Sequence, residues 1–173
     1  MSPRGGFDPA EVGAARAWLR AADDPEIRGQ LESVYARISE AIAERGPVCW
    51  ASGRCCNFEK TGHRLYVTGL EAAYCVRGLR RGEAPVDVPT MEMIDEAMRD
   101  GGCPLQVGNL CGAHGVKPLG CRVYFCDRSA QSWQQDLSER ELALVRAIHD
   151  AAGLEYRYGE WRGMLGLVVS ATP

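Results

Sequence analysis

Seven of the eight cysteines in this 173-residue sequence fall in two windows. Cys49, Cys55 and Cys56 occupy the first; Cys103, Cys111, Cys121 and Cys126 occupy the second. Both windows are rich in glycine. Thiolates bind zinc and iron–sulfur clusters, and they must converge on one point from several directions. Glycine permits the tight backbone turns this requires and keeps bulk away from the centre. Four thiolates around Zn²⁺ or a [4Fe–4S]²⁺ cluster leave a net charge of about −2. Arg54, Lys117 and Arg122 stand beside candidate ligands and are placed to offset it.

The competing uses of cysteine are weaker here. The first residues contain no apolar signal stretch, so a cytoplasmic, reducing compartment is expected, where thiols stay free. A chain of this length also needs no covalent staples to hold a core. Cys75 differs from the other seven. It lies among Ala72, Val76 and Leu79 at helical spacing and reads as a packed core residue. Cys55 and Cys56 are adjacent, and in an extended loop their side chains point apart. One is then expected to bind metal while the other packs inside or serves a second ion. The spacings Cys49-x₅-Cys55-Cys56 and Cys111-x₉-Cys121-x₄-Cys126 fit neither a zinc ribbon nor a ferredoxin run, so they do not name the metal. His114, three residues after Cys111, and His63, near the first window, are lesser ligand candidates. His149, with Asp150 beside it, reads as an ordinary surface or helix-end residue. No phosphate-cradling or serine-nucleophile motif is present.

Taken together, these residues resemble a known family. Cys49-Trp-Ala-Ser-Gly-Arg-Cys55-Cys56 is similar to the opening of the YkgJ-type CxxCxxCC proteins, described as zinc- or iron-chelating, whose pattern is C-x₂-C-G-x-C-C. Gly53 and three cysteines match, while Ser52 occupies the second cysteine position. Thr68 and Glu71 match a Thr-x-x-Glu helix start. Cys103-Pro-Leu105 loosely matches a cysteine followed by an apolar residue. Cys111, Pro118, Cys121 and Arg122 match Cys-x₆-Pro-x₂-Cys-Arg, with Lys117 where that family usually has arginine. The resemblance spans residues 49–126, somewhat under half the chain. It implies metal chelation, with Cys49, Cys55, Cys111 and Cys121 as leading ligands. Cys56, Cys103 and Cys126 are then candidates for a second ion or a supporting role. Serine is a poor ligand for soft metals, and Cys126 is the candidate replacement for the missing thiol.

The elements that must hold these loops are mostly helical. Asp8 or Pro9 starts a helix through Val12, Arg16 and Leu19. Asp24 and Pro25 open a second, with Ile27, Leu31, Val34, Ile38 and Ile42 on one stripe, ended by Gly46-Pro47. Residues 46–64 read as a wrapped loop and 65–67 as a short extended piece. Thr68 and Glu71 form a capping box for a helix over 69–80, and Thr90 caps another that ends at Gly101-Gly102. Glycines and Pro118 interrupt regular structure over 103–126. A long helix follows from Ser129 or Ser132 to near Gly153. The Tyr156, Tyr158 and Trp161 segment then reads as a strand or turn that packs, covering the site, before a closing helix.

The expected architecture is one mainly α domain over 1–173 with little strand. Its cysteine core at 49–126 is flanked by N-terminal helices (8–45) and a C-terminal helical extension (129–173). A formal charge of −3 gives no reason to expect nucleic acid, and no run approaches the roughly 18 apolar residues of a membrane span. The expected function is metal binding, with zinc or an iron–sulfur cluster such as [4Fe–4S]. The alternatives are an iron–sulfur-dependent enzyme of the protein-methylation type and a zinc-stabilised interaction module.

Overall fold

The computed structural model describes residues 6–172 except 48, 50 and 63, with the backbone alone at residue 128. It is mainly helical. Helix α1 (Pro9–Asp23) begins at Asp8, whose carboxylate accepts from the backbone N–H of Ala10 and Glu11, and Glu11 completes the capping box. Asp24 is extended, so it closes α1. Its carboxylate also caps α2 (Pro25–Arg45), which ends on left-handed Gly46.

A turn of 3-10 helix (Arg54–Cys56) and the short α3 (Phe58–Thr61) follow. Residues 54–61 are therefore largely helical where a wrapped loop was expected from the glycines. Phe58 supplies the reason: its buried ring, under the guanidinium of Arg162, anchors the segment.

Strand β1 (Tyr66–Thr68) leads into α4 (Gly69–Arg80), the central helix, buried over nearly its whole length. Trp18 of α1 packs against Gly69, where a β-carbon would run into the indole ring. Helix α5 (Met91–Asp100), capped by Thr90, ends at left-handed Gly101. The second cysteine window holds a hairpin, β2 (Gln106–Val107) and β3 (Leu110–Cys111), and the short α6 (Leu119–Val123). Regular structure thus survives there in pieces of two to five residues, which carry too little periodicity to be read from sequence.

Helix α7 (Gln131–Ala151) lies along α2 and α6. Strand β4 (Tyr158–Glu160) pairs antiparallel with β1, Val67 opposite Gly159, and runs directly into α8 (Trp161–Ser170). Helix α8 packs on α1, α4 and α5. The core joins Trp18, Leu31, Ile38, Leu70, Val76, Val145, Leu165 and Val168 in one cluster. No helix among the described residues is long and apolar enough to cross a membrane.

Candidate metal centre

The two cysteine windows meet, and their backbones hold them together. The first loop enters the Cys55–Cys56 turn through Ala51 and Gly53, both with positive φ (48° and 71°). Left-handed backbone is uncommon for a residue with a β-carbon and marks local constraint at Ala51. Gly53 fits for a second reason. Its carbonyl accepts from Gln106 Nε2 at 3.3 Å, and a β-carbon there would lie 2.7 Å from that nitrogen. The loop is thereby seated on the hairpin that carries Cys111. A second tie joins Glu59 N–H to the Gly101 carbonyl at 3.1 Å, just before Cys103.

These ties bring the two windows together. The Cys55 and Cys56 sulfurs lie 4.0 Å apart, so the 3-10 turn curls these adjacent side chains toward each other instead of splaying them. Cys103, Cys111 and Cys55 stand close enough to Cys56 to push its thiol up, with burial adding to the effect. Cys56 in turn lowers its neighbours: Cys55 to about 6 and Cys111 to about 7, each helped by the Lys117 charge, and Cys103 by direction. Low thiol pKa values favour the ligating, deprotonated form.

The other cysteines stand differently. Cys121, on α6, is partly covered, and burial pushes its thiol well up; the nearby Cys103 and Cys111 add to the effect. Cys75 is fully buried in α4, and burial raises its thiol too. Cys126 sits 3.6 Å from the hydroxyl of Ser52, so the candidate replacement and the serine are neighbours in space. Cys49 is exposed in the segment after α2. His114 is exposed, and the Lys117 charge lowers its pKa. His63 lies outside the described residues. His149 does lie at the end of α7, but it is fully buried, not a surface residue.

The structure also adds contacts that the motifs did not show. Trp161, the first residue of α8, donates its indole N–H to Cys103 Sγ at 3.4 Å. Glu71 caps its own helix and also accepts from the backbone N–H of Leu119, at the start of the α6 turn that carries Cys121. Tyr35 Oη lies 3.5 Å from Glu71, and the Arg122 guanidinium covers the Tyr35 ring at 4.0 Å. The one advance signal for Trp161 was its place in the aromatic group with Tyr156 and Tyr158, just before the closing helix.

As a donor set, four sulfurs suit thiophilic metal. Among the described residues, no three of His, Cys, Asp and Glu are arranged to hold a metal ion. Compared with known proteins, the chain matches no family model, no curated protein and no solved structure. The resemblance to the cysteine-chelating family therefore rests on the residues alone.

Proposed function

We propose that this chain is a metal-binding protein whose centre is held by Cys55, Cys56, Cys103 and Cys111 and takes zinc or an iron–sulfur cluster. One observation carries the reading: the turn that holds Cys55 and Cys56, their sulfurs 4.0 Å apart, is bonded through Gly53–Gln106 and Glu59–Gly101 to the segments that carry Cys111 and Cys103. Chance packing of apolar cysteines places them singly in a core, as with Cys75. Here the Lys117 charge acts on thiols of both windows, Cys55 and Cys111, and favours thiolate. The group would supply a thiolate-bound metal. The chain's own residues deliver the sulfurs, fix the two loops through Gly53–Gln106 and Glu59–Gly101, and offset charge through Lys117.

Elemental analysis and a visible spectrum on anaerobically purified protein test the proposal. About one zinc per chain in a colourless protein supports a structural centre, including one that shapes loops for a partner. A brown protein that bleaches in air supports an iron–sulfur centre, whether relay or enzyme. Protein with neither metal, and still unable to take up added zinc or iron, ends the reading.

A further inference from the structure

The first turn of α8 grips both cysteine loops. Trp161 is almost wholly buried, and its backbone N–H is tied to the Leu65 carbonyl at 2.9 Å. Its indole N–H points at the sulfur of Cys103. Beside it, Arg162 donates to the carbonyls of Ala97 and Gly102, pairs with Glu160, and lies over Phe58 just beyond the Cys55–Cys56 turn. Glu160 caps the helix by accepting from Gly163 N–H, which fixes the turn from which both side chains project. The Trp161 indole thus has one rigid orientation, and its only polar atom meets a thiol of the cluster.

We infer that Trp161 is a positioning residue of the thiol centre, its indole N–H holding the Cys103 sulfur as a thiolate ligand. The inference rests on the metal reading above. It extends the centre beyond residues 49–126 into the C-terminal helix, and makes α8 part of the frame that sets the metal's properties. An N–H donor aimed at a ligand sulfur draws electron density from it. That orients the sulfur, stabilises the thiolate and lowers the energy of its lone pairs.

Cobalt(II) titration of the reduced, metal-free chain, followed by its sulfur-to-cobalt charge-transfer absorption, tests this with wild type and Trp161→Phe. The phenylalanine keeps most of the buried ring and removes the donor. The expected result is equal cobalt stoichiometry, a charge-transfer band moved to lower energy in the variant, and an affinity reduced about tenfold. An unchanged band and affinity, with cobalt still bound, overturns the role of Trp161 and leaves the metal reading standing. Wild type that shows no charge-transfer band overturns both.

Should Trp161→Phe fail to fold, ¹⁵N-tryptophan labelling of a Trp50→Phe background leaves three indole signals, from Trp18, Trp133 and Trp161. Zinc addition is expected to shift one of them markedly, and Cys103→Ala to abolish that shift. Three indole signals indifferent to zinc in protein shown to bind it would reject the contact.

Discussion

Glu71 Oε1 accepts the backbone N–H of Leu119 at 2.8 Å, joining the N-terminus of α4 to that of α6 across 48 residues of sequence. Its other oxygen accepts from both the N–H and the hydroxyl of Thr68. One buried carboxylate thus caps two helices, one of which carries Cys121. Burial pushes this carboxyl up, while the hydrogen bonds from Thr68 and Leu119 pull it back down. The capping box seen in the sequence is half of what Glu71 does.

Glu71→Gln should therefore lower stability, because an amide offers one acceptor oxygen where the carboxylate offers two. Either the Thr68 donors or the Leu119 N–H would face an NH₂ group. The expected loss is about 1–3 kcal/mol, read as a fall in the urea midpoint. An unchanged midpoint would show that the double cap contributes nothing.

Gly69→Ala should be as harmful for a steric reason. The new methyl would meet the indole of Trp18, which is itself wholly buried. Overpacking of this kind costs about 1–3 kcal/mol. Trp18→Leu in the same chain should make the alanine cheaper than it is alone, so a double-mutant cycle that came out additive would contradict the packing argument.

His149 should make the fold acid-sensitive. It is fully buried; Nδ1 lies 3.1 Å from the Glu155 carbonyl, and Nε2 has no partner among the described residues. Burial lowers its pKa, outweighing the carbonyl contact and the Asp150 charge. A lowered value means that the unfolded chain takes up a proton the folded one refuses. The stability involved is present above the usual imidazole range and lost as pH falls through it. His149→Phe keeps an aromatic edge against Tyr156 and should flatten the decline in unfolding free energy between about pH 7 and pH 5. Parallel pH profiles for the two proteins would exclude this histidine as the cause.

The thiols should divide by place. Cys55→Ala, Cys56→Ala, Cys103→Ala and Cys111→Ala should each lower bound metal, since each removes a sulfur from the proposed centre. Cys75→Ala and Cys49→Ala should keep it, the first being sealed in α4 and the second exposed after α2. Metal per chain after anaerobic purification decides. Equal content in all six variants would remove the cluster assignment.

Much of the frame was legible in the sequence because helix ends are written locally. Asp24-Pro25, Thr68 with Glu71, Thr90, Gly46 and Gly101 each satisfy or release backbone groups within one turn, and the helices begin and end on them. The spacing of Leu31, Val34 and Ile38 marked the buried stripe of α2 in the same way. The two cysteine windows were equally visible as composition.

Which thiols meet was not a local matter. Cys56 stood as a supporting residue in the sequence and meets Cys55 at 4.0 Å in the structure, because a 3-10 turn at Arg54–Cys56 brings the adjacent side chains together. That turn is held by Gln106 and by Glu59 against Gly101, contacts whose partners lie some fifty residues away. Trp161 was readable as a packing residue, but its indole meets Cys103 only because β4 pairs with β1 and starts α8 there. The sequence by itself determined the helices and the supply of sulfur, through hydrogen bonds and periodicities a few residues long. Only the tertiary structure decided which cysteine segments lie side by side, since that depends on loop-to-loop contacts that no short window of sequence contains.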